Sequence, residues 1–105
     1  ADLAMSAVPL LDGAQDTVAA GILSSLQPQT LRLRLAVRNQ EAASASPLYS
    51  LMVAPQTAGG LLAAVPPDAA PACLDELRQA GYTRAVAIGR VNQGSASAEP
   101  ITLKL

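Results

Sequence analysis

The residues able to do chemistry are few and scattered. The carboxylates are Asp2, Asp12, Asp16, Glu41, Asp68, Asp75, Glu76 and Glu99, the only thiol is Cys73, and there is no histidine. Without an imidazole the chain lacks the commonest general base near neutral pH, so catalysis by it alone would fall to carboxylates or backbone groups. Asp12 and Asp16 are spaced to share a helical face, but two carboxylates with no third ligand read as a solvated face rather than an acid–base or Mg²⁺ site. No catalytic residue and no metal ligand set is assigned. Cys73 reads as a small core residue, and with no second Cys and no His it completes neither an internal disulfide nor a soft-metal site. Arg32, Arg34 and Arg38 read as a solvated edge in a chain of net charge −1. That balance argues against nucleic acid or an anionic membrane as a partner. What remains is the turn from Pro55 to Gly60, where Gln56, Thr57 and the N–H groups around Gly59 and Gly60 could hold an anion. The plainer reading is a tight turn feeding a core strand, because each glycine permits positive φ or a close backbone approach. None of G-x-x-x-x-G-K-[ST], G-x-G-x-x-G, G-x-S-x-G or H-E-x-x-H occurs in the chain.

The elements that must position this turn belong to one small unit. A chain of 105 residues suits a single domain or a piece of one. Half of the residues are apolar, yet there is no Trp, no Phe and only Tyr49 and Tyr82 among the aromatics. The core must therefore be built from Leu, Val and Ile, with Ala at close contacts, and it forgoes the about 150–250 Å² that an aromatic side chain buries. No run of about 18 apolar residues could span a bilayer, and there is no basic leader with an apolar stretch and cleavage site. A cytoplasmic, reducing setting is the expectation.

Along the chain, Asp2 to Val8 alternates as a short strand that Pro9 ends. Leu11, Ala14, Val18 and Ile22 predict a helix over Leu10 to Ala20, with Gly13 a weak point inside it and Gly21 its stop. Leu31, Leu33, Leu35 and Val37 alternate with Arg32, Arg34, Ala36 and Arg38. That pattern fits a half-buried strand, while Pro28 and the helix-forming Leu and Arg residues fit a helix over Gln29 to Asn39; the helix is preferred and the alternative stays open. Ala42 to Pro47 reads as a connection and Leu48 to Val53 as a short apolar turn or helix. Leu61 to Val65, bounded by Gly and Pro, predicts a central strand. Asp68 is placed to cap a helix from Ala69 to Ala80 that has Pro71 in its first turn, Ala70, Cys73, Leu74 and Leu77 inward, and Gly81 as its stop. Thr83 to Val91 predicts an inner strand. Asn92 to Glu99 then forms a hairpin connection, and Ile101, Leu103 and Leu105 an outer strand antiparallel to Thr83–Val91. The expected fold class is α+β, one small mixed sheet with helices packed on one face, as a single domain over residues 1–105.

One group of motifs resembles a known family. Gln56-Thr57-Ala58-Gly59-Gly60-Leu61-Leu62, then Val65-Pro66, Gln79-Ala80-Gly81-Tyr82 and Ala87-Ile88-Gly89-Arg90-Val91, is similar to the last third of selenophosphate synthetase (selenide, water dikinase). Val8-Pro9-Leu10-Leu11-Asp12-Gly13-Ala14 and Gly21-Ile22-Leu23-Ser24-Ser25-Leu26 also resemble it, so the likeness covers nearly the whole chain. The nine-residue motif of the family reads Asp-Pro-Gln-Thr-Ser/Ala-Gly-Gly-Leu-Leu and carries most of the specificity; the other matches are soft. This sequence has Ala54 where that motif begins with Asp.

The resemblance implies the α+β C-terminal domain shared with aminoimidazole ribonucleotide synthetase (a PurM-like C-terminal domain), here truncated. It implies part of an enzyme that turns ATP, selenide and water into selenophosphate, AMP and phosphate with Mg²⁺. In the family the catalytic Cys or selenocysteine, its Lys and most metal-binding Asp residues lie in an N-terminal ATP-binding domain, which is the implied partner. Cys73 does not match the catalytic position. On this reading Gln56, Thr57, Gly59 and Gly60 line a nucleotide cleft, the isolated chain is inactive and holds no cofactor, and it self-associates as a homodimer. Two alternatives remain: a dimerisation or interaction module on the same scaffold, and a purine-pathway or thiamine-phosphate kinase relative.

Overall fold

The computed structural model of the chain describes residues 1–55, 59–94 and 98–105, without the side chains of residues 28, 29, 31 and 33. Its sheet is organised by the first residues of the chain. Strand β1, Asp2–Ala4, lies between β2, Gly89–Arg90, and β3, Thr102–Lys104. β2 runs antiparallel to β1, with Leu3 opposite Gly89, and β3 runs parallel to it, with Leu3 opposite Leu103. The two chain ends lie side by side, and the Ala1 ammonium donates to the Pro100 carbonyl at 2.6 Å. A bridge between Val37 and Ile101 extends the parallel register past β3.

The helical segments are α1, Ala14–Ala19; α2, Gln27–Thr30; α3, Gln40–Ser44; α4, Tyr49–Met52; and α5, Ala70–Gln79. Tight 3₁₀ turns occupy Met5–Ala7 and Leu31–Ala36. The chain is therefore α+β with a three-stranded mixed sheet. Parallel register partners point to the same face, and Leu3 and Leu103 both join the core with Ala43 of α3 and Tyr49 of α4. Met5, Val37 and Val53 complete the buried set. Ala43 is wholly buried, as expected where an aromatic-poor core brings elements close. Fully burying one aliphatic side chain contributes about 1.5–3 kcal/mol, so a core this small leaves little redundancy.

Asn39 holds the outer edge of β3. Its Nδ2 donates to the Leu103 carbonyl at 2.6 Å, and its Oδ1 accepts from the Leu103 N–H at 2.9 Å. One side-chain amide thus does the work of a neighbouring strand at an edge that would otherwise be open.

Several expectations are corrected. The first strand stops at Ala4 instead of Val8, because the chain tightens into the 3₁₀ turn. The first helix begins at Ala14, not Leu10, because Gly13 takes a left-handed φ of 80° and acts as its N-cap. The helix preferred over 29–39 is present only as far as Ala36, as α2 and a 3₁₀ turn, and Val37 is extended and bridged to Ile101. In a 3₁₀ turn residues three apart share a face, which places half-buried Arg34 with buried Val37 and sends Leu35 outward at 77% exposure. The connection expected over Ala42 to Pro47 is partly α3. Residues 61–65 form no strand and are exposed throughout. Of Thr83–Val91 only Gly89–Arg90 is a strand, and β3 pairs with β1 rather than with that segment. The long connection at 92–99, of which 95–97 lie outside the described residues, imposes no tight hairpin, and β1 takes the central place. Asp68 makes no capping bond; Ala69 is the N-cap of α5.

The helix stops hold. At α1 the Gly21 N–H donates to Val18 and the Ile22 N–H to Thr17, both at 2.9 Å. At α5 the Gly81 N–H donates to Arg78 at 3.0 Å and the Tyr82 N–H to Leu77 at 2.9 Å. Gly21 and Gly81 have φ of 75° and 99°, the left-handed conformation this double closure requires and glycine adopts without strain.

Candidate functional site

The stretch from Ala54 to Pro67 is anchored at its start and exposed from Gly59 onward. Two polar side chains of α2 bind the carbonyls at the end of α4. Gln27 Nε2 donates to the Ser50 carbonyl at 3.2 Å, and Thr30 Oγ1 lies 2.6 Å from the Val53 carbonyl. Carbonyls in the last turn of a helix have no partner within it, so α2 supplies what α4 lacks. Val53 is buried and Ala54 and Pro55 are half-buried. From Gly59 onward every residue to Ala69 is exposed.

Of the sequence-predicted site residues, Gln56 and Thr57 lie outside the described residues. Gly59 and Gly60 are exposed, and a Cβ added at Gly60 would meet nothing within 4 Å. Among the described residues no close contact therefore requires glycine at position 60.

The remaining chemistry-bearing residues do not converge. Asp12 precedes α1 and Asp16 lies within it, and both are exposed. Among the described residues no three of His, Cys, Asp and Glu are grouped to hold a metal ion. Cys73 is half-buried on α5, alongside Ala70 and Leu74. The arginines divide: Arg32 and Arg38 are exposed, with Arg38 Nη2 donating to the Glu99 carbonyl at 3.4 Å. Arg34 turns inward, its guanidinium carbon 5.8 Å from the centre of the buried Tyr49 ring. That placement allows a cation–π attraction. Its Nε and the Tyr49 hydroxyl are both buried without a hydrogen-bond partner among the described residues. Sequence reasoning missed this pair because the Leu–Arg alternation describes a strand, whereas the 3₁₀ turn groups every third residue.

The carboxylate with a displaced pKa, Asp2, is a structural group of the sheet. The Lys104 ammonium, 3.1 Å away across the β1–β3 pair, and the Asn92 side chain hold its pKa below the ordinary 3.8. A carboxyl whose folded value is depressed adds stability above its unfolded value, and that contribution disappears as pH falls through the folded value. Lys104→Ala should therefore move the Asp2 titration upward and flatten the acid limb of the melting curve below pH 3.8. An NMR titration of the Asp2 carboxyl in both proteins reads this directly, and identical curves would remove the ion pair from the account.

No helix among the described residues is long and apolar enough to cross a membrane. No family model matches the chain, and neither a curated protein nor a solved structure matches it.

Proposed function

We propose that this chain is the C-terminal part of a selenophosphate synthetase-like enzyme, a truncated member of the aminoimidazole ribonucleotide synthetase-like C-terminal domains. The observation that carries the reading is the run Gln56-Thr57-Ala58-Gly59-Gly60-Leu61-Leu62. The exposed glycine pair, in a stretch whose start at Val53 is bound to α2, supports it, because a cleft wall must be fixed at one end and open at its face. Between Ala54 and Pro67 there is no carboxylate, so this stretch does not suit Mg²⁺, whose ligands must come from the ATP-binding domain. It suits phosphate oxygens, for which the N–H groups of Gly59 and Gly60 and the side chains of Gln56 and Thr57 are the donors. Bound ATP would supply the phosphoryl group to be transferred. The chain's own task is to hold and orient phosphate and to cover the cleft from water.

By itself the chain lacks the rest of the cleft and is inactive. Calorimetric titration with ATP and Mg²⁺ should give no saturable heat; a micromolar dissociation constant would contradict this assignment of roles. The second reading, a dimerisation or interaction module in a cytoplasmic protein, is favoured by Ala54 in place of the motif's Asp. It predicts that restoring Asp at that position has no effect on any nucleotide-dependent activity.

A further inference from the structure

Two buried polar groups of the chain have no partner in it. Tyr49 is 3% exposed, and its hydroxyl, like Arg34 Nε, is shut off from solvent without a hydrogen bond among the described residues. The two belong to one contact, since the Arg34 guanidinium carbon lies 5.8 Å from the centre of the Tyr49 ring. The cation–π attraction there draws on the guanidinium charge and gives the Nε–H no acceptor. Burying such groups unpaired is costly, and native structures retain few of them.

The guanidinium spans the boundary of the core. Arg34 as a whole is half-buried. Its Nη atoms make no hydrogen bond among the described residues and are not shut off as Nε is, so they reach solvent. No carboxylate among the described residues pairs with it: Asp2 is held by Lys104 and Asp75 by Arg78. Its neighbours in charge along the chain, Arg32 and Arg38, have the same sign and are exposed. Arg34 offers donors only, and the Tyr49 hydroxyl can donate to the same acceptor, so the complement of this pair is an oxyanion.

The geometry points to an oxyanion site between Arg34 of the 3₁₀ turn and Tyr49 of α4, for a small molecule carrying a single carboxylate. The Nε–H and one Nη–H of a guanidinium form the fork that a carboxylate fills with both oxygens. Solvent already reaches Nη, so the carboxylate docks there first, and a small rotation of the guanidinium plane brings Nε into the same fork. The Tyr49 hydroxyl then donates to a remaining lone pair. Charge selects carboxylate over phosphate. One guanidinium neutralises one negative charge, whereas a phosphate brings about −1.5 to −2, and the surplus would face the core of Val37, Ala43 and Val53 that surrounds the buried Tyr49. The two walls are tied together, because Thr30, directly before the turn, lies 2.6 Å from the Val53 carbonyl at the end of α4. This inference uses none of the residues assigned to phosphate and does not depend on the nucleotide reading.

The test is a titration of the 105-residue chain with sodium acetate at neutral pH, read at the Arg34 Nε–H signal by NMR against sodium chloride of equal ionic strength. The expected result is a saturable shift with acetate only, and a melting temperature that rises with acetate concentration. Tyr49→Phe keeps the ring and removes only the unpartnered hydroxyl. Without acetate it should melt no lower than the wild type, and its acetate affinity should fall about tenfold, the worth of one hydrogen bond to a charged group. Arg34→Lys keeps the charge without the fork and should lose the acetate-dependent rise in melting temperature, with circular dichroism unchanged. Arg32→Gln, at an exposed site, should bind acetate as the wild type does, and inorganic phosphate should bind the wild type more weakly than acetate. An Arg34 signal that moves equally in acetate and chloride overturns the inference. So does a Tyr49→Phe or Arg34→Lys protein with wild-type acetate affinity, an Arg32→Gln protein that has lost it, or phosphate bound more tightly than acetate.

Discussion

Gly89→Ala is expected to lower the free energy of unfolding by about 3 kcal/mol, the upper end of what overpacking a filled site costs. A Cβ at Gly89 would overlap the Asp2 carbonyl oxygen and lie 2.8 Å from Leu3 Cδ2. The first obstacle is backbone of the central strand and cannot rotate away. Relief requires β2 to withdraw from β1, and β2 has only two residues with which to hold on. The Ala4 N–H to Ile88 carbonyl bond of 2.8 Å should fail with it, exposing the Ala4 amide to hydrogen exchange. Gly60→Ala is the matched control, since nothing lies within 4 Å of its added Cβ. Urea denaturation should separate the two variants clearly, and equal midpoints would mean that β2 does not pair where described.

Met5→Ala should cost about 2–5 kcal/mol, the range for removing a buried long aliphatic side chain. Met5 is 1% exposed and is the largest fully buried side chain. It lies in the 3₁₀ turn that directly continues β1, so a cavity there loosens the sheet from α3 and α4 together. Folded domains have only about 5–15 kcal/mol in total, and this chain leaves much of its apolar surface unburied, so the variant should be near the edge of folding at room temperature. Met5→Leu conserves most of the volume and should cost below about 1.5 kcal/mol. Thermal unfolding by circular dichroism measures both; a Met5→Ala protein melting with the wild type would place the core elsewhere.

The parts of the fold legible in the sequence are those fixed by local chemistry. Gly81 after α5 and Gly21 after α1 stop their helices through hydrogen bonds spanning four and six residues, and Pro71 sits in a first turn where no N–H is needed. The general class, α+β with a mixed sheet, was legible on the same basis. The sheet's membership was not. Leu61–Val65 and Ala85–Ile88 have the composition of inner strands, but composition says nothing about which strand finds a partner. The parallel pairing of Asp2 with Thr102 joins the two ends of the chain, and no neighbouring residues signal such a contact. The capping of α4 by Gln27 and Thr30 was hidden for the same reason, being a contact across 23 residues. Of the candidate site, Gly59 and Gly60 are exposed, while Gln56 and Thr57 fall outside the described residues.

The corrected sheet also alters how the central motif is understood. Leu61 and Leu62 were expected to lead into the core, and instead they stand outside it at 96% and 70% exposure. An apolar run in that position has no cover among the described residues.

The most direct test of the functional reading is a chimaera. This chain is joined to the ATP-binding domain of a selenophosphate synthetase, in place of that enzyme's own C-terminal segment, and phosphorus NMR follows the products formed from ATP, selenide and Mg²⁺. A second chimaera carries Ala54→Asp, so that the departure at that position is tested with the rest. The reading predicts selenophosphate with AMP and phosphate from at least one of them, lost again when Gly59 and Gly60 are replaced by bulky residues. Two folded chimaeras that form no more selenophosphate than the ATP-binding domain alone would contradict it.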